Sequence, residues 1–292
     1  MRRASLSVAL IVAATVLTAP QAQAAPVCAG AGHAPVLVAD VGEPIEGAIV
    51  DGQGRMYVTV TASNRVLRID APGAPPVPVA SVPGPGALAI AADGSLLVGY
   101  GTDASVLVGD SARPGKIGRI DVATGALTPL ASGLSAANGM AVASDGTIYA
   151  TNDFGQLVGR VLPNGVVQPE WARVPSANGA VLDANYLYVA RTFVNPGVTR
   201  IPLANPGAPE SMVNFGPIDS PDGLTLDGRG RPVVPLNVPG QVVRVDPGGV
   251  CQLVGGLMFT SAVTYGHGSG GFSAGRLFAV GFTGTVHEII GG

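Results

Sequence analysis

Four phrases of this chain begin with a side chain whose oxygen could hold a cation. They read Glu46-Gly47-Ala48-Ile49-Val50-Asp51-Gly52-Gln53-Gly54, Asn138-Gly139-Met140-Ala141-Val142-Ala143-Ser144-Asp145-Gly146, Asn178-Gly179-Ala180-Val181-Leu182-Asp183 and Asp222-Gly223-Leu224-Thr225-Leu226-Asp227-Gly228-Arg229-Gly230. In three of them the leading residue stands eight positions before a turn glycine, Gly54, Gly146 or Gly230. A single Asn-Gly or Asp-Gly pair is ordinary turn chemistry. Two carboxylates and two amides kept at one position of a repeat point instead to side chains that meet on a symmetry axis. Gathered there, they repel one another and stay poorly satisfied without a cation. An all-oxygen set suits a hard ion. Ca²⁺ is the first expectation, with water or backbone oxygens completing its shell, and Mg²⁺, Mn²⁺ or Zn²⁺ also fits.

Each phrase is the first strand of a longer unit. A second strand follows the turn, as in Arg55-Met56-Tyr57-Val58 and Tyr186-Leu187-Tyr188-Val189. A third carries an arginine, as in Val66-Leu67-Arg68-Ile69-Asp70 and Val242-Val243-Arg244-Val245-Asp246, and a looser fourth closes the unit. Six such units begin near Glu46, Gly86, Asn138, Asn178, Asp222 and Ser261, a step of about 43 residues. Four short antiparallel strands repeated in this way predict an all-β fold, a six-bladed β-propeller. The last unit ends after its third strand. The lone strand Pro35–Val41 is expected to supply the fourth and close the ring, which leaves no open sheet edge.

Composition narrows the function. The net charge is −3 and Lys116 is the only lysine, which excludes the clustered positive charge of nucleic-acid binding. Residues 1–24 read as an export signal: Arg2 and Arg3, an apolar run from Leu6 to Leu17, then Ala22-Gln23-Ala24 as the cleavage site. No second apolar run is long enough for a bilayer, so a secreted, unanchored propeller over 25–292 is expected, as a monomer. Cys28 and Cys251 suit an oxidising compartment, and a bond between them would close a loop worth roughly 4 to 5 kcal/mol in the chain-entropy model. There is no nucleophile elbow, no Ser/His/Asp set and no phosphate loop.

These motifs resemble those of the gluconolactonase and regucalcin (senescence marker protein) family, six-bladed propellers with one divalent metal in the channel. The family's Glu-Gly-Pro phrase is matched by Glu46-Gly47-Ala48, its Asn-Gly by Asn178-Gly179 and its Pro-Asp-Gly by Pro221-Asp222-Gly223. The resemblance implies Glu46, Asn178 and Asp222 as metal ligands, Asp222 also as general base, and Asn138 at the substrate. It spans roughly residues 43 to 290. Loops after the second strands are expected to shape the pocket through Asn152, Asp153, Arg191, Phe193, Asn237 and Asp103. The implied reaction is metal-assisted opening of a lactone or ester. The chain departs from the sugar lactonases at two positions, Ala136 in place of an arginine and Gln156 in place of a glutamate. The paraoxonases also resemble this ring, but His33, His267 and His287 do not match their catalytic histidines. Two readings without turnover stay open: a binding module with a structural metal, and a scaffold with none.

Overall fold

The structure is a computed structural model that describes residues 25–292. The expected export signal lies outside the described residues. Six four-stranded antiparallel sheets form a ring, and the fold is a six-bladed β-propeller. The innermost strands are Ala48–Val50, Pro85–Ile90, Met140–Val142, Ala177–Leu182, Thr225–Leu226 and Thr260–Tyr265, each beside the next around the axis.

The phrase that repeats in sequence has a local physical cause at its far end. Asp51 Oδ1 accepts from the amides of Gln53 (2.9 Å) and Arg55 (3.0 Å). Gly54 adopts a φ of 77°, a left-handed conformation natural to glycine. Asp227 repeats this with Arg229 (2.9 Å) and Arg231 (3.0 Å), and Gly230 has a φ of 75°. The arginine of the third strand keeps one place in the blades that carry it, and His287 takes that place in blade six. Arg68, Arg160 and Arg200 stand opposite Tyr57, Tyr149 and Tyr188 on the second strand. Their heads reach outward to acceptors such as Asp70 (2.7 Å), Gln168 (2.8 Å) and Glu210 (2.7 Å).

Apolar residues do not fill the axis. They form six buried clusters, one between each pair of adjacent blades. Blades one and two close on Tyr57, Val66, Val82, Val98 and Ile120. Blades three and four close on Tyr149, Val158, Leu187, Val189 and Ile201. Each fully buried aliphatic side chain contributes about 1.5–3 kcal/mol, so the ring is held at its radial seams and its centre is left open.

Closure follows the expected route. Val36–Asp40 pairs antiparallel with Thr285–Ile289 as the outer strand of blade six. Upstream of it, Pro26 to Cys28 runs along the outer strand of blade five: the Gln252 amide donates to Pro26 O (2.7 Å) and the Cys28 amide to Gln252 O (2.9 Å). Cys28 and Cys251 form a disulfide, Cα atoms 5.0 Å apart. The bond therefore ties blade five to the segment that completes blade six. Among the described residues no helix is long and apolar enough to cross a membrane.

Candidate metal and substrate site

Glu46, Asn138, Asn178 and Asp222 each lead into an innermost strand, or lie in one, at the same end of the ring. The glycine that follows each of them explains why. A Cβ on Gly47 would lie 2.9 Å from Gly86 O, on Gly139 2.0 Å from Asn178 O, on Gly179 2.5 Å from Gly223 Cα, and on Gly223 2.8 Å from Ser261 O. Adjacent inner strands touch backbone to backbone at this level, and only hydrogen fits between them. The Asn-Gly and Asp-Gly pairs of these phrases are packing contacts of the ring rather than turns.

Buried hydroxyls stitch the same level. Thr59 Oγ1 donates to Gly86 O (2.8 Å), Thr151 Oγ1 to Asn178 O, Thr192 Oγ1 to Pro221 O (2.6 Å) and Ser261 Oγ to Ile45 O (2.7 Å), each joining one blade to the next. The Thr192 bond also fixes the site. With its proton committed to Pro221, Thr192 Oγ1 can only accept, and it takes Asn178 Nδ2 at 3.0 Å. The Asn178 carbonyl oxygen must then face the other way, where it accepts from Asn138 Nδ2 at 3.1 Å. Asn237 Nδ2 donates to Asp222 Oδ2 at 3.2 Å and holds that carboxylate in turn.

All four residues line two cavities at once, one on either side of the ring they form. On the far side a channel of about 510 Å³ runs between the inner strands, past residues such as Leu88, Met140 and Val181, to His267. On the near side a mouth of about 390 Å³ opens among the loops that follow the second strands. At the mouth Asp153, 8 % exposed, joins Glu46 and Asp222 as a third carboxylate. Among the described residues no lysine, arginine or histidine lines this mouth.

Charge is therefore penalised at the axis. Burial, and then the neighbouring Asp153, push the Glu46 carboxyl up to about 7. Burial pushes Asp153 up to about 6, against hydrogen bonds from its own amide, Asn138 and the Phe154 amide. Asp222 is raised well above the usual carboxylate range by burial and then by Glu46 and Asp153, opposed by the amides of Asn237 and Asn178. Acidic groups with their charge disfavoured and no basic neighbour fit a divalent cation, which would supply the missing positive charge. Among the described residues no three of His, Cys, Asp and Glu form a metal cage by themselves. The set that meets here mixes carboxylates with an amide oxygen, as the sequence phrases imply.

The sequence-derived pocket residues divide into two groups. Asn138, Asp153, Phe193 and Asn237 line the mouth. Asn152 and Arg191 do not. Asn152 is fully buried and donates to Val106 O (3.0 Å) and Ser135 Oγ (2.9 Å), which anchors the segment between Tyr100 and Lys116. Arg191 points to the outer strand, where Nη2 donates to Asn214 Oδ1 (2.6 Å). Asp103 caps a turn by accepting from the Ser105 amide (2.8 Å). Their residue types announced polar function, but the direction of each side chain is set by packing that the sequence does not display. Ala136 and Gln156, the two departures from the sugar lactonases, line neither cavity. Sequence reasoning missed Phe154 and Phe282, which join Phe193 at the mouth; their exposed positions after second strands were the available signal.

No family model and no curated protein matches the sequence. Solved structures do match the fold. A gluconolactonase from Xanthomonas campestris superposes with a TM-score of 0.73 at 18% identity, covering 94% of this chain and 99% of the other. Regucalcin from Agrobacterium tumefaciens, described as a calcium-binding protein, gives 0.68 at 19%, covering 88% and 93%. Virginiamycin B lyase from Staphylococcus aureus gives 0.56 at 17%, covering 87% and 86%. At these identities the likeness is one of fold. The ring of blades resembles that of the gluconolactonases and regucalcin, and a lyase shares the likeness of fold at a lower score.

Proposed function

We propose that this chain is an exported, metal-dependent hydrolase of lactones or esters, with Glu46, Asn178 and Asp222 holding a divalent cation, calcium first among the candidates. The observation that carries this reading is the convergence of three carboxylates, Asp153 and Asp222 buried and Glu46 partly so, with two oriented amides in a mouth lined, among the described residues, by no cationic side chain. The gluconolactonase and calcium-binding neighbours of the fold support it. The disulfide and the signal-like residues 1–24 support export.

A bound cation would polarise a carbonyl and acidify a water molecule. The chain's own groups do the rest. Asn178, held by its Nδ2 bond to Thr192, turns its carbonyl oxygen toward Asn138. Asn138 sits beside it at the mouth, the position that the resemblance gives to the substrate. Asp222, steadied at Oδ2 by Asn237, is the assigned acceptor for the proton of the attacking water. Asp153 faces the same space and disfavours a second anion there, so a neutral lactone or ester is accepted and its carboxylate product is repelled. Like-charge repulsion thus favours product release.

The test is a lactone panel on residues 25–292, chelated and then resupplied with Ca²⁺. Turnover that disappears on chelation and returns with the ion is the expected result. Turnover by Asp222→Ala equal to that of the unaltered chain removes the mechanism. The reading without turnover is favoured by one observation: no side chain stands at the mouth in place of the family's sugar-contacting arginine and glutamate. A chain that gains thermal stability with Ca²⁺ yet opens no lactone is a binding module.

A further inference from the structure

The mouth has a polar floor and an apolar wall, and the two faces of the ring differ in the same sense. Phe154 and Phe193 lie with ring centroids 5.1 Å apart and planes tilted by 32°, and each is about half exposed. Phe282 faces them across the opening, and Val106, carried in by the segment between Tyr100 and Lys116, completes the wall. Around that rim the loops of this face also expose Leu107, Val108, Val194, Val238, Met258 and Phe259. The turns of the opposite face expose few large apolar groups, Val166 and Ile290 among them.

Most hydroxyl and amide donors of the mouth are already committed, Ser220 apart. Thr61 donates to Pro85 O (2.7 Å), Thr102 to Gly84 O (2.7 Å) and Thr192 to Pro221 O (2.6 Å). Asn237 and Asn138 donate to Asp222 and Asn178. A polyol needs donors as well as acceptors along its length, and this wall keeps almost none free. A molecule that is polar at one end only leaves nothing unsatisfied.

We infer that the mouth takes an amphiphilic carbonyl compound, a lactone or ester with an alkyl chain or aryl group, its carbonyl at the Asn138–Asp222 floor and its apolar part along Phe154, Phe193, Phe282 and Val106. This deepens the hydrolase reading by naming its substrate class, and it rests on that reading only for turnover, not for binding. Each methylene placed against such a wall is worth about 0.8 kcal/mol, or about fourfold in affinity.

The experiment uses residues 25–292 with Ca²⁺ and a series of γ-alkyl lactones from methyl to octyl, with glucono-δ-lactone as the polyol. Two quantities are read: displacement of the uncharged fluorescent probe N-phenyl-1-naphthylamine, and kcat/KM. Both are expected to improve about fourfold per methylene until the chain outgrows the wall, with gluconolactone far below. Phe154→Ser and Phe193→Ser, at half-exposed positions, flatten that slope. A flat dependence on chain length in the unaltered protein, or a preference for gluconolactone, overturns the inference. So does a slope that appears only when the lactone is presented in phosphatidylcholine vesicles, because the apolar rim is then a lipid-docking surface. Probe displacement with the chain-length slope but no turnover by any lactone upholds the binding inference and defeats the hydrolase reading.

Discussion

Two of the four repeated phrases carry a carboxylate at each end, and the two ends behave oppositely. Glu46 and Asp51, and again Asp222 and Asp227, stand five positions apart on either side of one short strand. Burial works against the charge of Asp51, yet the amide and guanidinium of Arg55 and the amide of Gln53 outweigh it and hold the group below the usual carboxylate range. Asp227 is held down in the same way, against burial, by Arg231 and the amide of Arg229. At the axial end burial meets no such answer, and Glu46 and Asp222 rise. A carboxylate that the chain satisfies itself is part of the scaffold. One that the chain buries and leaves unanswered is held for something from outside.

The sharpest way to break this contrast is Asp222→Ala against Asp227→Ala, read by lactone turnover. Loss of Asp222 is expected to lower turnover about 100-fold or more, the scale seen when one electrostatic partner of a developing oxyanion is removed. Loss of Asp227 should leave turnover per folded molecule within about threefold, because it touches no group of the mouth. Equal losses in the two variants would erase the distinction.

Calcium should divide the same two ends by stability. At a concentration of 100 Kd, an ion bound only to the folded chain adds about 2.7 kcal/mol, visible as a rise in melting temperature over the chelated protein. Asp222→Ala should abolish that rise and Asp227→Ala should preserve it. Asp227→Ala carries its own cost of about 1–3 kcal/mol, since it strands the Arg229 and Arg231 amides and leaves the Arg231 head to Asp246 alone; denaturant unfolding measures it.

The smallest expected effect is on pH dependence. A carboxyl with a raised folded-state pKa keeps its proton longer in the folded chain, so stability falls as pH climbs from its unfolded value through its folded one. For Glu46 that window runs from 4.5 to about 7, and for Asp153 from 3.8 to about 6. The chelated protein should therefore melt lower at pH 7.5 than at pH 5, with Glu46→Gln weakening the trend. The scaffold aspartates have the opposite sign and act only at lower pH. A chelated protein that melts higher at pH 7.5 would show that the axial groups are already neutralised.

What the sequence disclosed follows from what repeats. Blade count, the closing strand and the level shared by Glu46, Asn138, Asn178 and Asp222 are properties of spacing, and spacing is printed in the chain. Directions are not. Arg191 looked like a pocket residue, but Asn214 on the outer strand of the same blade draws it outward. The glycines after the ring residues read as turns because the strand pressing against each belongs to the next blade, some 40 residues away. Asp153 stood in a loop that sequence reasoning placed at the pocket, but its part in a trio of carboxylates needed the fold to bring Glu46 and Asp222 within range.

The pairing of Val36–Asp40 with Thr285–Ile289 sets the timing of assembly. The strand that finishes the circle is among the first parts of the described chain to leave the ribosome, and its mate is among the last. Until Thr285–Ile289 has been made, the early segment has no edge to join and offers an unmatched margin to any passing strand. The circle closes only once that strand is in place, and until then the four blades that carry Glu46, Asn138, Asn178 and Asp222 stand in an open arc.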